Sequence, residues 1–400
     1  MKKLLLLCLI ACLSCGNDEK IVSQKHPRVN ELQKEPVAAG TNLVISGKDL
    51  DDDIKIYLNG EEIIPNEIKN TEVTIKIPDN AVSGNLEINF SQVNYNTNSY
   101  LKILDEGWES FEGANYFQMD FISEKIGYAK NGNGDSHFVD KTIDGGKTWS
   151  QVLKVSSASS SIEAVTSDIA FIRTTSNVIK KTSDGGNSWQ DIEAIDLGYI
   201  IKKIFFQTST NGFLLADKLG KSDVFKTIDG GLTWNKVLEL NNYSTYIEVL
   251  YNQNDDIILI DKKSKEYIFS EDNGLNWTKK SFTLPYSSNR MVYHAKKDKI
   301  WMYLEDLINI PGGLYFTDDN GSSWEMINYP KLPERIVFMN FIDESKGFML
   351  TDEGGAFYTS DKGKTWKVFY LNTKYIYSAT LFEDHLFISD GNQLLTKKLQ

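Results

Sequence analysis

The chain has 400 residues, a formal net charge of −12 at pH 7 and a hydrophobic content of 41%. This length and composition suffice for a large core and predict two or more domains. The acidic balance argues against nucleic acid as a partner. All three cysteines lie within the first 15 residues, so disulfides, thiol catalysis and cysteine-ligated metals are excluded from the rest of the chain.

The N-terminus has two lysines followed by a short apolar run that ends at Cys15. The run is too short to span a bilayer and is typical of a secretory signal. It resembles the leader of bacterial lipoproteins, in which the lipidated cysteine becomes the first mature residue. Cys15 suits the usual leader length and is preferred, whereas Cys12 suits the usual lipobox sequence. We therefore predict a signal peptide over 1–14 and a flexible tether over 15–25.

The acidic sequence after Cys15 is similar to that of surface-exported Bacteroidetes lipoproteins. The resemblance implies a protein anchored by an N-terminal lipid at the bacterial outer membrane or cell surface. The membrane is thus one expected partner.

Residues 26–104 are predicted to form short strands separated by turns. The clearest strand segments are 40–47, 54–60, 73–78 and 84–90. Their order resembles an IPT/TIG domain, an immunoglobulin-like sandwich that often lies between a membrane anchor and a working domain. The consecutive aspartates at 51–53 are interpreted as an acidic loop tip and not as a calcium site.

Residues 105–400 contain six octapeptides with the pattern Ser/Thr-x-Asp-x-Gly-x-(Thr/Ser/Asn)-Trp. Their tryptophans are separated by 40, 45, 43, 47 and 42 residues, a period typical of propellers and other repeat architectures. The Asp can accept backbone N–H groups and the Gly permits positive φ, so each octapeptide predicts a tight turn. We expect a structural role for all six aspartates: Asp144, Asp184, Asp229, Asp272, Asp319 and Asp361.

The octapeptide is the Asp box, and this region resembles the Asp-box (BNR-type) β-propellers. That group includes sialidases, sortilin-like receptors, certain glycoside hydrolases and photosystem II assembly factors. In these families the box joins the third and fourth strands of a blade, on the face opposite the functional site. The pattern Phe-x-(Asp/Ser)-x-x-x-Gly-(Tyr/Phe), at 121–128 and 341–348, is most similar to the assembly-factor group. That resemblance implies assembly or scaffolding, without a photosynthetic role.

The strands around the boxes predict an all-β, seven-bladed propeller over 105–400. Three strand segments follow the last box, and no further box comes after them. The segment 107–111 resembles the tryptophan-led strand after each box, and Trp108 precedes Trp149 by 41 residues. We predict that this strand completes the C-terminal sheet, which would protect its edge. Seven of the eight tryptophans then share one position, and Trp301 is left without a role.

A ligand site is expected on the loops of the face opposite the boxes. Arg290 and Arg335 precede the first strands of consecutive blades, where together they could bind a carboxylate or phosphate. Tyrosines in such loops suit sugar stacking or peptide anchoring, and the connections between blades contain Tyr243, Tyr246, Tyr286, Tyr329 and Tyr375. The alternative is that the arginines pair with local acids and the tyrosines cover blade edges.

Catalytic functions are less well supported. Sialidases need three arginines, the first before the first box, but no arginine lies between residue 29 and that box. A glycoside hydrolase needs paired carboxylates, for which the candidates are Glu305, Asp306, Asp352 and Glu353. The four histidines are isolated, so neither a metal nor a cofactor is expected. The sequence favours non-catalytic binding of a protein or glycan, with a carbohydrate-active enzyme as the alternative.

Overall fold

The fold is built from β-strands. The computed structural model describes residues 26–50, 53–90, 95–113, 115–133, 136–155, 161–173, 178–193, 195–196, 198–244, 247–251, 257–281, 291–296, 299–304, 313–319, 322–329, 334–343, 345–373 and 375–399. All 36 elements assigned in these ranges are strands, and none of the described residues belongs to a helix that could cross a membrane. The predicted all-β class is confirmed.

The chain divides into two compact units that interleave along the sequence. The first contains the described residues up to 32, together with 42–76 and 85–99. The second contains 33–41, 77–84 and the described residues from 100 onward.

Two four-stranded antiparallel sheets form the N-terminal part. Their strands are β1 (Arg28–Val29), β2 (Asn42–Lys48), β3 (Ile54–Leu58), β4 (Glu61–Ile63), β5 (Glu67–Lys69), β6 (Glu72–Lys76), β7 (Gly84–Phe90) and β8 (Tyr95–Leu101). One sheet has the order β1-β2-β6-β5 and the other β4-β3-β7-β8. Buried and exposed side chains alternate along β2 and β7, which is the period-2 pattern of a strand with one face in a core.

Seven further four-stranded antiparallel sheets lie among the described residues of the second unit, and we number them 1 to 7. Sheets 1 to 3 consist of β10 (Tyr116–Phe121), β11 (Gly127–Asn133), β12 (Ser136–Thr142) and β13 (Ser150–Val155); β14 (Ser161–Ala164), β15 (Ala170–Arg173), β16 (Val178–Thr182) and β17 (Gln190–Glu193); and β18 (Ile200–Phe206), β19 (Gly212–Lys218), β20 (Lys221–Thr227) and β21 (Asn235–Leu240).

Sheets 4 to 6 consist of β22 (Ile247–Tyr251), β23 (Ile257–Asp261), β24 (Glu266–Ser270) and β25 (Thr278–Ser281); β26 (Met291–Lys296), β27 (Lys299–Leu304), β28 (Gly313–Thr317) and β29 (Glu325–Ile327); and β30 (Ile336–Phe341), β31 (Gly347–Thr351), β32 (Gly355–Thr359) and β33 (Lys367–Tyr370). Sheet 7 consists of β34 (Ser378–Phe382), β35 (His385–Ser389), β36 (Gln393–Lys398) and β9 (Glu109–Glu112).

Sheet 7 joins the two ends of this region. β9 pairs antiparallel with β36, with Phe111 opposite Leu394 and Glu109 opposite Thr396. The predicted pairing of the segment after Trp108 with the C-terminal strands is therefore present. The first strands of sheets 7 and 1 also contact each other. β9 thus covers the edge of β36 that would otherwise be open to pairing with another chain.

Neighbouring sheets pack through aromatic side chains at a repeated position. Phe341, at the end of the first strand of sheet 6, stacks on Trp301 of sheet 5 at 3.8 Å between ring centres. Phe206 of sheet 3 stacks on Phe171 of sheet 2 at the same distance. Trp301, which the sequence left without a role, is fully buried and supplies the aromatic partner for sheet 6.

The same position explains the recurring Phe-x-(Asp/Ser)-x-x-x-Gly pattern. A β-carbon on Gly127 would lie 2.7 Å from the ring of Phe121, and one on Gly347 would lie 2.4 Å from the ring of Phe341. Both separations are far below normal van der Waals contact, so only glycine fits beneath the ring. The pattern therefore encodes packing within the sheet.

The Asp boxes form closed turns between third and fourth strands. In the box of sheet 2, Asp184 Oδ1 accepts hydrogen bonds from the Thr182 hydroxyl at 2.8 Å and the Ser188 N–H at 2.9 Å. Asp184 Oδ2 accepts the Ser188 hydroxyl at 2.5 Å. The Thr182 hydroxyl in turn accepts the N–H of Gly186 at 2.8 Å. The aspartate thus satisfies groups of its own turn.

Because these hydrogen bonds are accepted by a carboxylate, we expect acid to destabilise the turns. The Ser188 hydroxyl and N–H hold the pKa of Asp184 at about 2, and the Thr233 hydroxyl and N–H hold that of Asp229 at about 2. A carboxyl whose pKa is depressed by folding stabilises the fold above its unfolded pKa, about 3.9, and loses this contribution as pH falls towards the folded value. We expect the thermal midpoint to drop between about pH 4 and pH 2, where these carboxyls titrate.

Thermal unfolding of the wild type and of Asp184→Asn at several pH values tests this expectation. The variant should be less stable at pH 5, and the difference should shrink as pH approaches 2. A difference that is independent of pH would contradict the assignment.

Candidate binding faces of the propeller

The propeller sheets present two ends. The end with the turns between third and fourth strands carries the Asp boxes, and we call it the box face. The other end carries the turns between second and third strands and the connections between sheets, and we call it the loop face. The sequence placed the candidate ligand-binding residues on the loop face.

Arg335, a candidate ligand-binding residue, contacts Asp352, a candidate catalytic carboxylate. The backbone N–H of Arg335 donates to Asp352 Oδ1 at 3.0 Å, and Arg335 Nε donates to Asp352 Oδ2 at 2.7 Å. The side chains are 52% and 23% exposed, respectively. Arg335 therefore pairs with a local acid, and Asp352 holds the loop that carries Arg335. Glu353, the next residue, is exposed.

A neighbouring carboxylate that the sequence did not single out is almost completely buried. The Glu334 side chain is 4% exposed and accepts hydrogen bonds from the Thr351 hydroxyl at 2.7 Å, the Tyr370 hydroxyl at 3.0 Å and Lys102 Nζ at 3.3 Å. Burial, reinforced by Glu334, raises the pKa of Tyr370 well above its usual range. Glu334 belongs to no motif, and only its burial identifies it.

Other carboxylates on the loop face also anchor loops, and they share a position at the end of a second strand. Asp217 accepts the Ser222 hydroxyl at 2.6 Å and the Ser244 N–H at 3.0 Å. Asp390 accepts the N–H groups of Asn392 and Gln393 at 2.8 and 2.9 Å. Asp352 likewise lies at the end of the second strand of its sheet, directly after β31. These side chains accept hydrogen bonds from backbone and side-chain donors nearby, which is a structural use.

The candidate tyrosines have different surroundings. Tyr329 is partly buried and packs edge-on against Tyr303, with ring centres 5.9 Å apart, so it covers part of the core of sheets 5 and 6. Tyr243 and Tyr375 are 49% and 61% exposed. The exposed pair could contact a ligand, whereas Tyr329 has a packing role.

Tyr243 belongs to a surface patch on sheet 3. Leu219, at the turn between β19 and β20, is 96% exposed, and Ile200 is 49% exposed. A β-carbon on the neighbouring Gly220 would lie 3.7 Å from the Tyr243 hydroxyl, which places that turn against Tyr243. Lys218 Nζ lies 4.4 Å from the ring centre of Tyr199, whose hydroxyl donates to Asp223 at 2.6 Å. We call Tyr199, Ile200, Lys218, Leu219 and Tyr243 the sheet 3 patch.

Two carboxyl groups link the first strands of sheets 1 to 3. Asp120 Oδ2 accepts the Ala164 N–H at 2.7 Å, and Glu163 Oε1 accepts the Phe206 N–H at 2.9 Å. Burial raises the pKa of Asp120 to about 6. Burial, and next the charge of Asp120, raise the pKa of Glu163 well above its usual range. Both groups bind the backbone of the next sheet, and neither was identified from the sequence.

Several predicted residues lie outside the described residues, so the structure does not test them. They are Cys12, Cys15, Tyr246, Tyr286, Arg290, Glu305 and Asp306, together with Asp51 and Asp52. The proximity of Arg290 to Arg335 therefore stays a prediction. Among the residues that are described, no group of three potential metal ligands occurs.

Comparisons with known proteins match segments in both parts of the chain. Residues 27–102 match the IPT/TIG domain family, and residues 236–378 match the family of the photosynthesis system II assembly factor YCF48. No curated protein matches the chain. A YCF48 structure bound to a D1 peptide shares 19% identity and covers 74% of this chain and 98% of its own, with a TM-score of 0.58.

YCF48 from Cyanidioschyzon merolae shares 18% identity over 72% of this chain and 98% of its own, with a TM-score of 0.56. The xyloglucanase of glycoside hydrolase family 74 from Xanthomonas campestris shares 10% identity over 73% of this chain but only 53% of its own, with a TM-score of 0.53. At these identities the solved structures establish the fold alone. The protein is therefore a BNR-like β-propeller protein that also carries an IPT/TIG domain.

Proposed function

We propose that this protein binds a partner protein, without catalysis, through the loop face of its propeller. The observation that carries the proposal is the sheet 3 patch, in which Leu219, 96% exposed, lies on the turn that approaches Tyr243, itself 49% exposed. Exposed apolar and aromatic side chains that lie together typically mark a protein interaction site. Lys218, beside the ring of Tyr199, adds a positive charge to this surface.

The similarity to YCF48 supports a peptide or protein partner, since that protein was solved with a bound peptide. The chemistry on the loop face points the same way. Asp352, one of the candidate catalytic carboxylates, is paired with Arg335, which supports a structural use of this side chain.

The alternative function is glycoside hydrolysis, which the similarity to the xyloglucanase favours. That enzyme is about twice as long as the region it shares with this chain. A glycan is therefore the second candidate ligand. We also propose, from the N-terminal sequence, that lipidated Cys15 anchors the protein at the bacterial outer membrane or cell surface.

A paired peptide and glycan array tests the proposal. The wild type should bind peptides, and Leu219→Ser combined with Tyr243→Ala should weaken that binding by about 2 kcal/mol, or about thirtyfold, as expected for two interface anchors. Leu275→Ser is the control, because Leu275 is 73% exposed in a box on the opposite face. Glycan hydrolysis that disappears in Asp352→Asn with Glu353→Gln would instead establish the enzyme.

A further inference from the structure

The turn between β19 and β20 of sheet 3 combines two features that are each unfavourable for folding. Lys218 pairs with Lys221, so Leu219 and Gly220 alone form this turn, which we call the Leu219 turn. Both residues have positive φ, 49° and 91°, as a type I′ hairpin turn requires. Positive φ is costly for residues other than glycine, although asparagine and aspartate tolerate it. Leu219 adopts this backbone and is also 96% exposed.

Other turns of the chain use polar residues at this backbone geometry. Seven non-glycine residues among the described ones have positive φ, and Leu219 is the only apolar member of the set: Asp49, Asn59, Leu219, Lys265, Asn273, Lys362 and Glu383. Asn59 and Gly60, between β3 and β4, have nearly the same angles as the Leu219 turn, 54° and 84°. Asn-Gly is a favoured pair for this type of turn. Folding therefore does not account for a leucine at position 219.

Tyr243, whose hydroxyl approaches the Leu219 turn, belongs to a segment that is fixed on both sides. The preceding residue, Asn242, donates its side-chain amide to Asp261 at 2.8 Å. The following residue, Ser244, donates its N–H and its hydroxyl to Asp217 at 3.0 and 2.8 Å. Asn242 and Ser244 are buried, whereas Tyr243 is half exposed. The tyrosine is thus presented on a fixed backbone, so that a ligand does not have to order this segment.

The Leu219 turn also carries an ammonium group that the chain does not neutralise. Lys218 Nζ lies 4.4 Å from the ring centre of Tyr199 and forms no ion pair among the described residues. Nearby carboxylates have partners of their own. Asp223 accepts the Tyr199 hydroxyl at 2.6 Å, and Glu239 pairs with Lys221 at 2.9 Å. The positive charge at this turn contrasts with the net charge of −12 of the whole chain.

We propose that the Leu219 turn binds an acidic segment of a partner protein, in which an apolar side chain packs against Leu219 and Tyr243 and an adjacent carboxylate pairs with Lys218. The inference rests on the proposed protein-binding function and adds the chemistry of the partner. Contact with the partner removes the exposed leucine from water, which folding alone leaves undone. The carboxylate makes a charge-assisted hydrogen bond to the ammonium group.

Leu219→Asn separates the demands of folding from those of binding. Asparagine tolerates positive φ, and the almost fully exposed leucine has little packing to lose, so the thermal midpoint should rise by about 1–3 °C. The same variant should weaken peptide binding at least about tenfold, because it removes an apolar anchor. Leu232→Asn is the control, since Leu232 is an exposed leucine in the box of the same sheet, and it should leave peptide binding unchanged.

Fluorescence anisotropy with the full chain tests the charge of the partner. The probes are labelled octapeptides in which a central Leu, Ile, Val, Phe, Tyr or Trp is flanked on both sides by Glu, by Gln or by Lys. The best Glu peptide should bind about fivefold more tightly than its Gln counterpart, and the difference should shrink as salt is added. Lys218→Gln should abolish this preference. Lys279→Gln, at an exposed lysine on β25, should retain it.

The outcomes distinguish this inference from the proposed function. Equal binding of the Glu, Gln and Lys peptides, with loss of binding in Leu219→Asn, would overturn the acidic partner and leave protein binding at the sheet 3 patch in place. A lower thermal midpoint of Leu219→Asn would contradict the conflict between folding and binding at this turn. Absence of binding by every peptide at about 1 mM would overturn both proposals. Binding to anionic lipid vesicles that is lost in Leu219→Asn, without peptide binding, would assign the turn to a membrane surface instead.

Discussion

Replacing Asp105 by alanine is expected to lower the free energy of unfolding of the propeller by about 3 kcal/mol, the cost of breaking one partner out of a buried ion pair. The Asp105 side chain is 8% exposed. It accepts hydrogen bonds from Lys397 Nζ at 2.6 Å, the Tyr358 hydroxyl at 2.6 Å and Trp108 Nε1 at 3.0 Å. Burial, and next the charge of Asp105, raise the pKa of Tyr358 well above its usual range, so the phenol remains a donor.

These contacts join the segment before β9 to sheets 6 and 7. Removing the carboxylate leaves Lys397 without its anion and two buried donors without an acceptor. Urea denaturation followed by tryptophan fluorescence measures the loss. Asp318→Ala is the control, because Asp318 is exposed in the fifth box and should change stability by less than about 0.5 kcal/mol. Equal stability of the two variants would mean that Asp105 does not hold the closure.

Replacing Trp301 by alanine should cost about 3–5 kcal/mol, the range for deleting a large buried aromatic side chain. Trp301 is fully buried, stacks on Phe341 at 3.8 Å and contacts Phe316 at 5.0 Å between ring centres. The substitution removes the aromatic contact between sheets 5 and 6 and leaves a cavity.

Trp301→Phe should cost clearly less, since it keeps an aromatic ring against Phe341. Met326→Ala is a suitable surface control, because Met326 is 60% exposed on the last strand of sheet 5. Thermal and urea unfolding of the three variants would check the order. A phenylalanine variant as unstable as the alanine variant would contradict a role for the ring stack.

The predictions that succeeded rest on chemistry within a few residues. The Asp box is identifiable because its aspartate, hydroxyls and glycine bond one another inside eight positions, as Asp184, Thr182 and Ser188 show. The pairing of β9 with β36 could be inferred because Trp108 repeats the position of the box tryptophans. Each unit of a repeat places equivalent residues at equivalent positions, so these inferences required no knowledge of contacts between residues far apart in the chain.

Roles that depend on residues far apart in the chain could not be inferred in this way. Arg335 and Asp352 were predicted for different functions, but the fold makes them partners across 17 positions. Glu334 has no motif, and its burial with Lys102 and Tyr370 depends on contacts from other segments.

By itself the sequence determined the all-β repeat and its turns, because each turn is stabilised by hydrogen bonds among neighbouring residues. It also determined that the segment after Trp108 would pair with the C-terminal strands of the propeller. Only the tertiary structure decided which side chains remain free to bind a partner, since burial and pairing bring together residues from different sheets. The segment around Trp108 shows both effects. Its pairing with the C-terminal strands could be inferred from the repeat, whereas the contacts of Asp105 with Lys397 and Tyr358 come from the fold.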